Sequence, residues 1–277
     1  MQELLNVIHE DADLLVINKP AGLVCHPTKG DALSSLISRV RMHLGEGAHP
    51  HLVNRLDRET SGVTIVAKRD DAALELRRIW ESRAVEKEYL AIVHDRVATE
   101  HGVIDAPLGK DENSRVAIKN CVRPDGAPSR TEFWVERRFT HHALRTPHLT
   151  SETPHSALSP LSMLNPPVLR SSTAEGGQPS TSFTLLRVVP HTGRKHQIRI
   201  HLAHIGHAIV GDKLYGGEEE LYLALVEDRL TDQQRTRLIL PHHALHAAGI
   251  RFIWRGAEFT FSAQPEPGFE AFVTSDR

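Results

Sequence analysis

Short apolar runs alternate with turn-forming and charged segments along most of the chain. Seven of these runs are rich in β-branched, leucine or aromatic residues and predict strands: 14–17, 63–67, 87–94, 131–135, 183–189, 250–254 and 258–261. In the run 87–94 apolar side chains fall on both faces, which is typical of a strand inside a sheet. The last two runs flank Arg255-Gly256 and predict a hairpin.

Two segments show the helical period instead. The segment that begins at Asp70 places Leu76, Ile79 and Trp80 on one face, and residues 194–205 carry an apolar residue at every third or fourth position. Strands and helices do not alternate regularly along the chain. The pattern therefore predicts an α+β fold with a mainly antiparallel sheet flanked by helices and loops.

The segment 141–182 differs from the rest of the chain in composition. It holds six prolines, thirteen serines or threonines and no Phe, Tyr or Trp. Such a segment buries too little apolar surface to offset the entropy of ordering. We predict that it is a mobile insertion in a loop of one domain that spans residues 1–277.

The whole composition is typical of a soluble globular protein, with 40% hydrophobic and 25% charged residues among 277. Only two cysteines, Cys25 and Cys121, occur, which excludes a disulfide framework or a four-cysteine zinc site. The first ten residues lack the pattern of a secretory signal, and no apolar run approaches the roughly 20 residues of a membrane span. We therefore expect a cytoplasmic protein that does not bind a membrane.

The formal net charge of −2 conceals two regions of opposite sign. Residues 187–213 hold five Lys or Arg and five His against one Asp, whereas residues 215–234 hold six acidic residues against one Arg. Binding of an anion depends on the local field and not on the total charge. The near-neutral total therefore does not exclude a nucleic-acid partner.

A carboxylate flanked by arginines occurs in residues 54–62, NRLDRETSG. Asp57 stands between Arg55 and Arg58, and a Thr-Ser-Gly turn follows before the next strand. One interpretation is a polar surface loop with a salt bridge. The other is a carboxylate whose pKa is lowered by arginine and which acts as a nucleophile or base.

A second candidate is the basic segment 191–201, HTGRKHQIRIH. Its donors stand near the start of a predicted helix and suit phosphate, although a solvated basic helix is the alternative. His201, His204 and His207 follow at helical spacing and suggest zinc, but no HExxH pattern accompanies them and Gly206 disfavours a helix there. No glycine-rich phosphate-binding signature occurs.

Five blocks of the sequence, taken in order, resemble the RluA-type pseudouridine synthase family. The matching blocks are 13–27 (DLLVINKPAGLVCHP), 53–68 (VNRLDRETSGVTIVAK), 87–89 (KEY), 192–216 (TGRKHQIRIHLAHIGHAIVGDKLYG) and 245–247 (LHA). The resemblance extends over about residues 5–263, apart from the insertion.

The sequence departs from the family pattern in three respects. Asn54 stands where the family often has His, and we expect little effect because both side chains form hydrogen bonds. The insertion at 141–182 falls in a connection that the family usually keeps short. We also expect no S4-type RNA-binding domain before the first block, so that the catalytic domain itself recognises RNA.

The resemblance implies the pseudouridine synthase catalytic fold and the isomerisation of specific uridines in structured rRNA or tRNA, without a cofactor or metal. It makes Asp57 the catalytic carboxylate and Arg199 its cationic partner, which predicts a contact between residues 142 positions apart. Tyr89 is expected to stack on uracil or to help remove the proton from C5. The target base must leave its stack to reach the carboxylate.

The resemblance also suggests which basic residues bind the RNA. We expect the protein to be a monomer. The candidates are Arg55, Arg58, Arg194, Lys195 and His196. Two other interpretations stay open, namely an RNA-binding protein that has lost the activity and a metal-dependent hydrolase that uses the histidine cluster. Retention of Asp57, Tyr89 and Arg199 favours the enzyme over the pure binder.

Overall fold

The computed structural model describes residues 4–27, 33–141 and 181–275. The insertion predicted at 141–182 lies outside the described residues except at its two ends, which belong to strands. None of the helices in the described ranges is long and apolar enough to cross a bilayer.

Twelve strands and six helices make up the described parts of the chain. The strands are β1 Val7–Glu10, β2 Leu14–Lys19, β3 His51–Leu52, β4 Ser61–Ala67, β5 Val85–His94, β6 His101–Asp105, β7 Leu108–Lys110, β8 Asn120–Val122, β9 Arg130–His141, β10 Thr181–Pro190, β11 Leu245–Trp254 and β12 Ala257–Ser262. The helices are α1 Leu36–Leu44, α2 Asp70–Glu81, α3 Gln197–His204, α4 Glu220–Val226, α5 Asp232–Leu238 and α6 Pro267–Thr274.

Ten of the strands form one mixed sheet. Its order is β1-β2-β4-β11-β5-β10-β9-β6, with β12 beside β11 and β3 beside β4. Among the described strands the pairing of β4 with β11 is parallel and the other pairings in the sheet are antiparallel. Strands β7 and β8 form a separate hairpin. The predicted α+β fold with a mainly antiparallel sheet is confirmed.

The predicted elements are present, with shifted ends. The seven apolar runs all lie in strands, and the run 131–135 belongs to the twelve-residue strand β9. The hairpin of β11 and β12 turns at Arg255 and Gly256, whose φ values of 51° and 78° suit a two-residue hairpin turn. The helix predicted at 194–205 begins only at Gln197, because His196 adopts a left-handed conformation with φ of 57°.

Helices pack on the sheet through the faces that the sequence marks as apolar. Ile198 and Leu202 of α3 belong to a buried cluster with Phe133 and Phe183 of strands β9 and β10. A second cluster joins Leu76 of α2 to strands β4, β11 and β12. Burial of such side chains is the main favourable term that holds α3 and α2 against the sheet.

The parallel pairing of β4 with β11 is tightest at Gly62. Gly62 has a φ of 113°, and a Cβ atom there would lie 2.2 Å from the carbonyl oxygen of Ala247. Ala247 in turn pairs with Tyr89 on β5. This contact of three strands brings the loop before β4 close to Tyr89 and to the start of β11.

Candidate active site

The loop between β3 and β4 carries Asp57 and is fixed by two polar side chains. The Asn54 side chain donates to one backbone group of β4 at 3.1 Å and accepts from another at 2.7 Å. The fully buried ammonium of Lys19 donates to the carbonyl of Arg58 at 3.1 Å and to two carbonyls of the turn after β2. Both contacts restrict the positions that Asp57 can adopt.

Asp57 forms an ion pair with Arg199 of helix α3. The guanidinium Nη1 of Arg199 donates to Oδ2 of Asp57 at 2.9 Å. The contact that the resemblance predicted between residues 142 positions apart is therefore present. The Asp57 side chain remains 30% exposed while that of Arg199 is 8% exposed, so the carboxylate faces the outside and the arginine lies behind it.

A second carboxylate, Asp212, holds Arg199 from the other side. Nε and Nη2 of Arg199 donate to the two oxygens of Asp212 at 2.7 and 2.9 Å, a bidentate pair. Asp212 also accepts the backbone N–H groups of Leu214 and Tyr215 at 2.9 and 3.0 Å. The guanidinium is thus fixed in one orientation before any substrate binds.

These contacts determine the protonation of the group. Burial alone would raise the pKa of Asp57, but the charge and the hydrogen bond of Arg199 hold it below its ordinary value. Burial opposes ionisation of Asp212 as well, and Arg199 and the backbone donors hold its pKa far below the usual range. Both carboxyl groups are therefore ionised at neutral pH, and the Asp57–Arg199–Asp212 group carries a net charge of −1.

Tyr89 faces this group from strand β5. Burial, together with the negative charge of Asp57, raises the pKa of Tyr89 to about 12. Its hydroxyl is therefore protonated at neutral pH. The ring packs against the cluster around α3, which fixes its orientation.

His196 lies between Asp57 and Tyr215. Its Nδ1 is 2.9 Å from the Tyr215 hydroxyl, and its Nε2 is 3.8 Å from Oδ1 of Asp57. The side chain is 7% exposed, so it is not on the open surface. Burial lowers the pKa of His196 to about 4, although the charge of Asp57 opposes this shift.

The other predicted RNA-binding residues lie on the surface, either in the loop that carries Asp57 or directly before His196. Arg55, Arg58, Arg194 and Lys195 are all exposed. Arg58 donates to the carbonyl of Gly22 at 3.1 Å, and Arg194 donates to a backbone carbonyl at 3.4 Å. These contacts orient the two arginines and leave donors for a ligand.

Sequence reasoning missed a second buried ion pair under the loop. Glu59 Oε1 lies 2.8 Å from Nζ of Lys213, and the neighbouring Thr60 hydroxyl is 2.7 Å from Nε2 of His243. Burial raises the pKa of Glu59, but nearby His242 and Lys213 outweigh this and lower it to about 2. The spacing of these residues along the chain carries no sign of the pairing, because only the fold brings them together.

Lys87 is another residue that the sequence reasoning left out. It lies on the same face of β5 as Tyr89, and a Cβ atom on Gly193 would be 3.8 Å from its Nζ. Glu86 and Glu88 beside it pair with Arg251 and Arg187, and no carboxylate in the described ranges pairs with Lys87. Burial without a compensating charge lowers the pKa of Lys87.

The contacts of His201 and His207 argue against the zinc interpretation. Nδ1 of His201 is 2.8 Å from the Thr131 hydroxyl, and its Nε2 is 3.0 Å from the carbonyl of Ala106, so both ring nitrogens already have protein partners. Nδ1 of His207 contacts the carbonyl of His94 at 3.1 Å. Within the described ranges no three His, Cys, Asp or Glu side chains are grouped to hold a metal ion.

The comparisons with known proteins identify the same family. Residues 13–204 match the sequence profile of the RNA pseudouridylate synthase family. An uncharacterized RNA pseudouridine synthase of Aquifex aeolicus is 33% identical over 218 residues, which cover 76% of this chain and 56% of that protein. Ribosomal large subunit pseudouridine synthase D of Haemophilus ducreyi is 30% identical over 77% of this chain and 53% of its own length. The protein of the same name from Nitrosomonas europaea is 32% identical over 88% and 56%.

Solved structures agree on the fold. Human RNA Pseudouridylate Synthase Domain Containing 1 superposes with a TM-score of 0.64 at 22% identity, covering 96% of this chain and 86% of the other. Human RNA Pseudouridylate Synthase Domain Containing 4 gives 0.62 at 25% identity, covering 96% and 90%. By contrast, the chain spans only slightly more than half the length of the three curated relatives above.

Proposed function

Because the chain belongs to the RNA pseudouridylate synthase family, we propose that it isomerises specific uridines of a structured RNA to pseudouridine, with Asp57 as the catalytic carboxylate. The observation that carries this proposal is the Asp57–Arg199–Asp212 group. It keeps one carboxylate ionised, oriented and accessible at the centre of an arginine- and lysine-bearing surface. A group of this kind suits cleavage of a glycosidic bond, in which positive charge develops at the anomeric carbon.

The reaction exchanges one bond of the ribose for another. The bond between C1′ and N1 of the uracil breaks, the base turns, and a bond between C1′ and C5 forms. C5 then loses its proton and N1 gains one, so no electrons enter or leave. Asp57 assists either by attack on C1′ or by removal of a neighbouring ribose proton, and in both cases Arg199 keeps it ionised.

Tyr89 contributes through its ring and its hydroxyl. The ring offers a surface on which uracil stacks, a contact worth about 1–3 kcal/mol in single-stranded recognition. Because burial and the Asp57 charge oppose formation of tyrosinate, the Tyr89 hydroxyl releases its own proton to solvent as it takes the proton from C5, and it does not act as a free tyrosinate. Tyr89 is therefore assigned to the last step, after the new bond has formed.

The exposed cations around the carboxylate provide the RNA-binding surface. Arg55, Arg58, Arg194 and Lys195 contact phosphates of the RNA, and Lys87 beside Tyr89 adds a fifth positive group. Folded RNA is recognised largely by shape, phosphates and splayed bases, which fits a surface of this composition. The uridine reaches Asp57 by flipping out of its stack.

The names of the relatives favour large-subunit ribosomal RNA as the substrate. Two of the proteins described above carry the name ribosomal large subunit pseudouridine synthase D, and tRNA is the second substrate to test. We further propose that the protein acts as a monomer in the cytoplasm, without a cofactor or a metal.

The test is a map of pseudouridine across total RNA from cells that lack this protein. The cells are complemented with the wild-type protein, with Asp57→Asn or with Asp57→Ala. Sites that vanish and return only with the wild type identify the enzyme and its substrate together. Asn has the shape of Asp without its charge, so its failure to restore the sites assigns the effect to the ionised carboxylate.

Two results contradict the proposal. Sites restored equally well by Asp57→Ala would remove Asp57 from the catalytic role. If no site in rRNA or tRNA changes while the purified protein still binds RNA, the chain is a binding protein and not an enzyme.

A further inference from the structure

A chain of polar contacts leads from the β7–β8 hairpin to the free oxygen of Asp57. The backbone N–H of Asn120 on β8 donates to the Tyr215 hydroxyl oxygen at 3.3 Å. That hydroxyl lies 2.9 Å from Nδ1 of His196, and Nε2 of His196 faces Oδ1 of Asp57 at 3.8 Å. Arg199 holds the other oxygen, Oδ2, so His196 faces the oxygen that no arginine in the described parts of the chain contacts.

The contacts determine which nitrogen of His196 carries the proton. A backbone N–H only donates, so the Tyr215 oxygen is the acceptor of the Asn120 bond, and the hydroxyl proton needs an acceptor of its own. Nδ1 of His196 lies at hydrogen-bond distance from that hydroxyl. If Nδ1 accepts, the neutral ring carries its proton on Nε2. The negative charge of Asp57 near Nε2 favours the same tautomer.

The ring is neutral, because burial lowers the pKa of His196 to about 4. The backbone of His196 is held as firmly as its ring. Its φ of 57° and ψ of 17° place it in the left-handed region, which is uncommon for a residue with a side chain. Such conformations persist where the surrounding structure enforces them, and they concentrate at functional sites. Here the conformation begins helix α3 and turns the ring inward, between Tyr215 and Asp57.

We propose that Tyr215 holds His196 in its Nε2–H tautomer and that this N–H positions the free oxygen of Asp57 during the reaction. This inference rests on the proposed function. His196 is then a positioning residue, which acts through Asp57 and not on the RNA. The distance of 3.8 Å is longer than a hydrogen bond, and we expect it to shorten when substrate fills the site, as catalytic contacts often do.

The contact gives the carboxylate two fixed oxygens in place of one. With only Oδ2 held, the Asp57 carboxylate can rotate away from the ribose. An N–H at Oδ1 restricts that rotation. It also stabilises the charge that returns to Asp57 when its bond to C1′, or to the ribose proton, breaks again. Because the ring is neutral, it adds this donor without adding a second positive charge that would attract Asp57 away from the substrate.

Two substitutions of His196 distinguish the effect of losing the N–H donor from the effect of losing the ring. The amide nitrogen of His196→Gln comes near the place of Nε2, whereas that of His196→Asn comes near the place of Nδ1 and does not reach Asp57. The assay measures single turnover at saturating enzyme, with tritium released from C5 of uridine in an unmodified large-subunit rRNA transcript. If the map assigns the sites to tRNA, a tRNA transcript replaces it.

A hydrogen bond to a charged group is worth enough that its loss slows the reaction about 10- to 100-fold. We expect that loss for His196→Asn, a smaller loss for Tyr215→Phe, and a rate within about threefold of wild type for His196→Gln. His204→Gln, an exposed histidine on the same helix, is the matched control and keeps the wild-type rate. The affinity for the transcript stays unchanged in all four variants. A wild-type rate in His196→Asn, or a loss confined to RNA affinity, overturns the proposal.

The tautomer is measured separately, by the ¹⁵N chemical shifts of the His196 ring in the free protein. The signal is identified as the one absent from His196→Gln. We expect the Nε2–H pattern in the wild type and a larger share of Nδ1–H in Tyr215→Phe. A wild-type Nδ1–H pattern overturns the inference even if the enzyme is active. If the wild type is inactive on every transcript, the proposed function is wrong. The ¹⁵N chemical shifts then still decide independently whether Tyr215 sets the tautomer of His196.

Discussion

At the scale of single residues, the site depends on how Arg199 is shared between two carboxylates. Asp212 is completely buried and takes two donors of the guanidinium, which leaves Nη1 for Asp57. A lysine has no planar set of donors and cannot hold both carboxylates in this geometry. The buried half of the group sets the direction of the arginine, and the exposed half is free to react.

Substitution of Tyr89 tests the role of its hydroxyl. We expect Tyr89→Phe to keep RNA affinity, because the ring that stacks on the base is retained. Turnover should fall at least about a hundredfold, since a positioned acid or base typically contributes that much. Binding and single-turnover kinetics on the same RNA separate the two effects. Equal turnover of mutant and wild type would exclude a role for the hydroxyl.

Substitution of Lys87 tests whether its unpaired charge contacts a phosphate. Burial without a partner makes the positive charge costly in the free protein, and a phosphate would compensate it. We expect Lys87→Gln to weaken RNA binding and to reduce the slope of log affinity against log salt by about 0.7–0.9, the value for one phosphate contact.

The matched control for Lys87 is Lys68→Gln. Lys68 follows β4 at the end away from Ser61 and pairs with Glu10 at 2.9 Å, so the salt slope should not change. A slope unaltered by Lys87→Gln would mean that Lys87 does not contact the RNA backbone.

At the scale of elements, the contact between β4 and β11 determines where the loop that carries Asp57 lies. Gly62→Ala places a methyl group 2.2 Å from the carbonyl oxygen of Ala247 and keeps a φ of 113° that alanine disfavours. We expect a loss of about 3 kcal/mol or more in the free energy of unfolding, because both strands would have to move. Urea denaturation measures it.

Gly256→Ala separates the clash from the backbone strain. Gly256 has a φ of 78°, but a Cβ atom there meets nothing within 4 Å. Its substitution should cost only about 1–2 kcal/mol, the strain of the left-handed conformation. Equal losses in the two variants would mean that the approach of β4 to β11 tolerates a side chain.

Elements differ in how far the sequence could predict them. Seven of the twelve described strands were predicted, because their runs are rich in β-branched, leucine or aromatic residues and are bounded by turn residues. Helix α2 was predicted because Leu76 lies on a clear apolar stripe. Strands β1, β3, β6, β7 and β8 were missed because they have only two to five residues. Helices α4 and α5 have only seven residues each, so neither carries an apolar stripe long enough to recognise. The start of α3 was placed too early because the left-handed conformation of His196 depends on its contacts in the fold.

The residues of the candidate site also differ in whether the sequence could predict their contacts. Asp57 and Arg199 were predicted from the family blocks, and their contact is present at 2.9 Å. The arginine's second partner, Asp212, and the pair formed by Glu59 and Lys213 were missed. Arg199 and Asp212 lie 13 positions apart in one family block, but the block does not indicate that they pair. Glu59 and Lys213 lie 154 positions apart, and only the fold brings them together.

At the scale of the whole molecule, ion pairs reduce the acidic region that the sequence indicated. Glu219 pairs with Lys119 at 2.7 Å, and Glu220 pairs with Arg229 at 2.7 Å and with Arg115 at 3.4 Å. Two of these three cations belong to the segment between β7 and β8. The acidic residues of 215–234 are thereby partly neutralised by neighbouring elements, and the cations around Asp57 keep their field for an anionic ligand.

Buried neutral histidines predict how the stability of the whole fold depends on pH. Burial lowers the pKa of His243 to about 4, from 6.5 in an unfolded chain, although nearby carboxylates oppose the shift. Below pH 6.5 the unfolded chain therefore binds a proton that the folded protein does not. Stability from this group is complete above pH 6.5 and is lost as the pH falls towards 4.

Glu59 adds a second loss at lower pH. Its pKa of about 2 in the folded protein lies below the ordinary 4.5, so its contribution disappears as the pH falls from 4.5 towards 2. We expect urea midpoints to decrease steadily from pH 7 to pH 4, with His243 alone accounting for about 2 kcal/mol between pH 7 and pH 5. His243→Asn should flatten this part of the curve, whereas His204→Gln, which removes an exposed histidine, should not. A wild-type slope in His243→Asn would place the acid sensitivity in other groups.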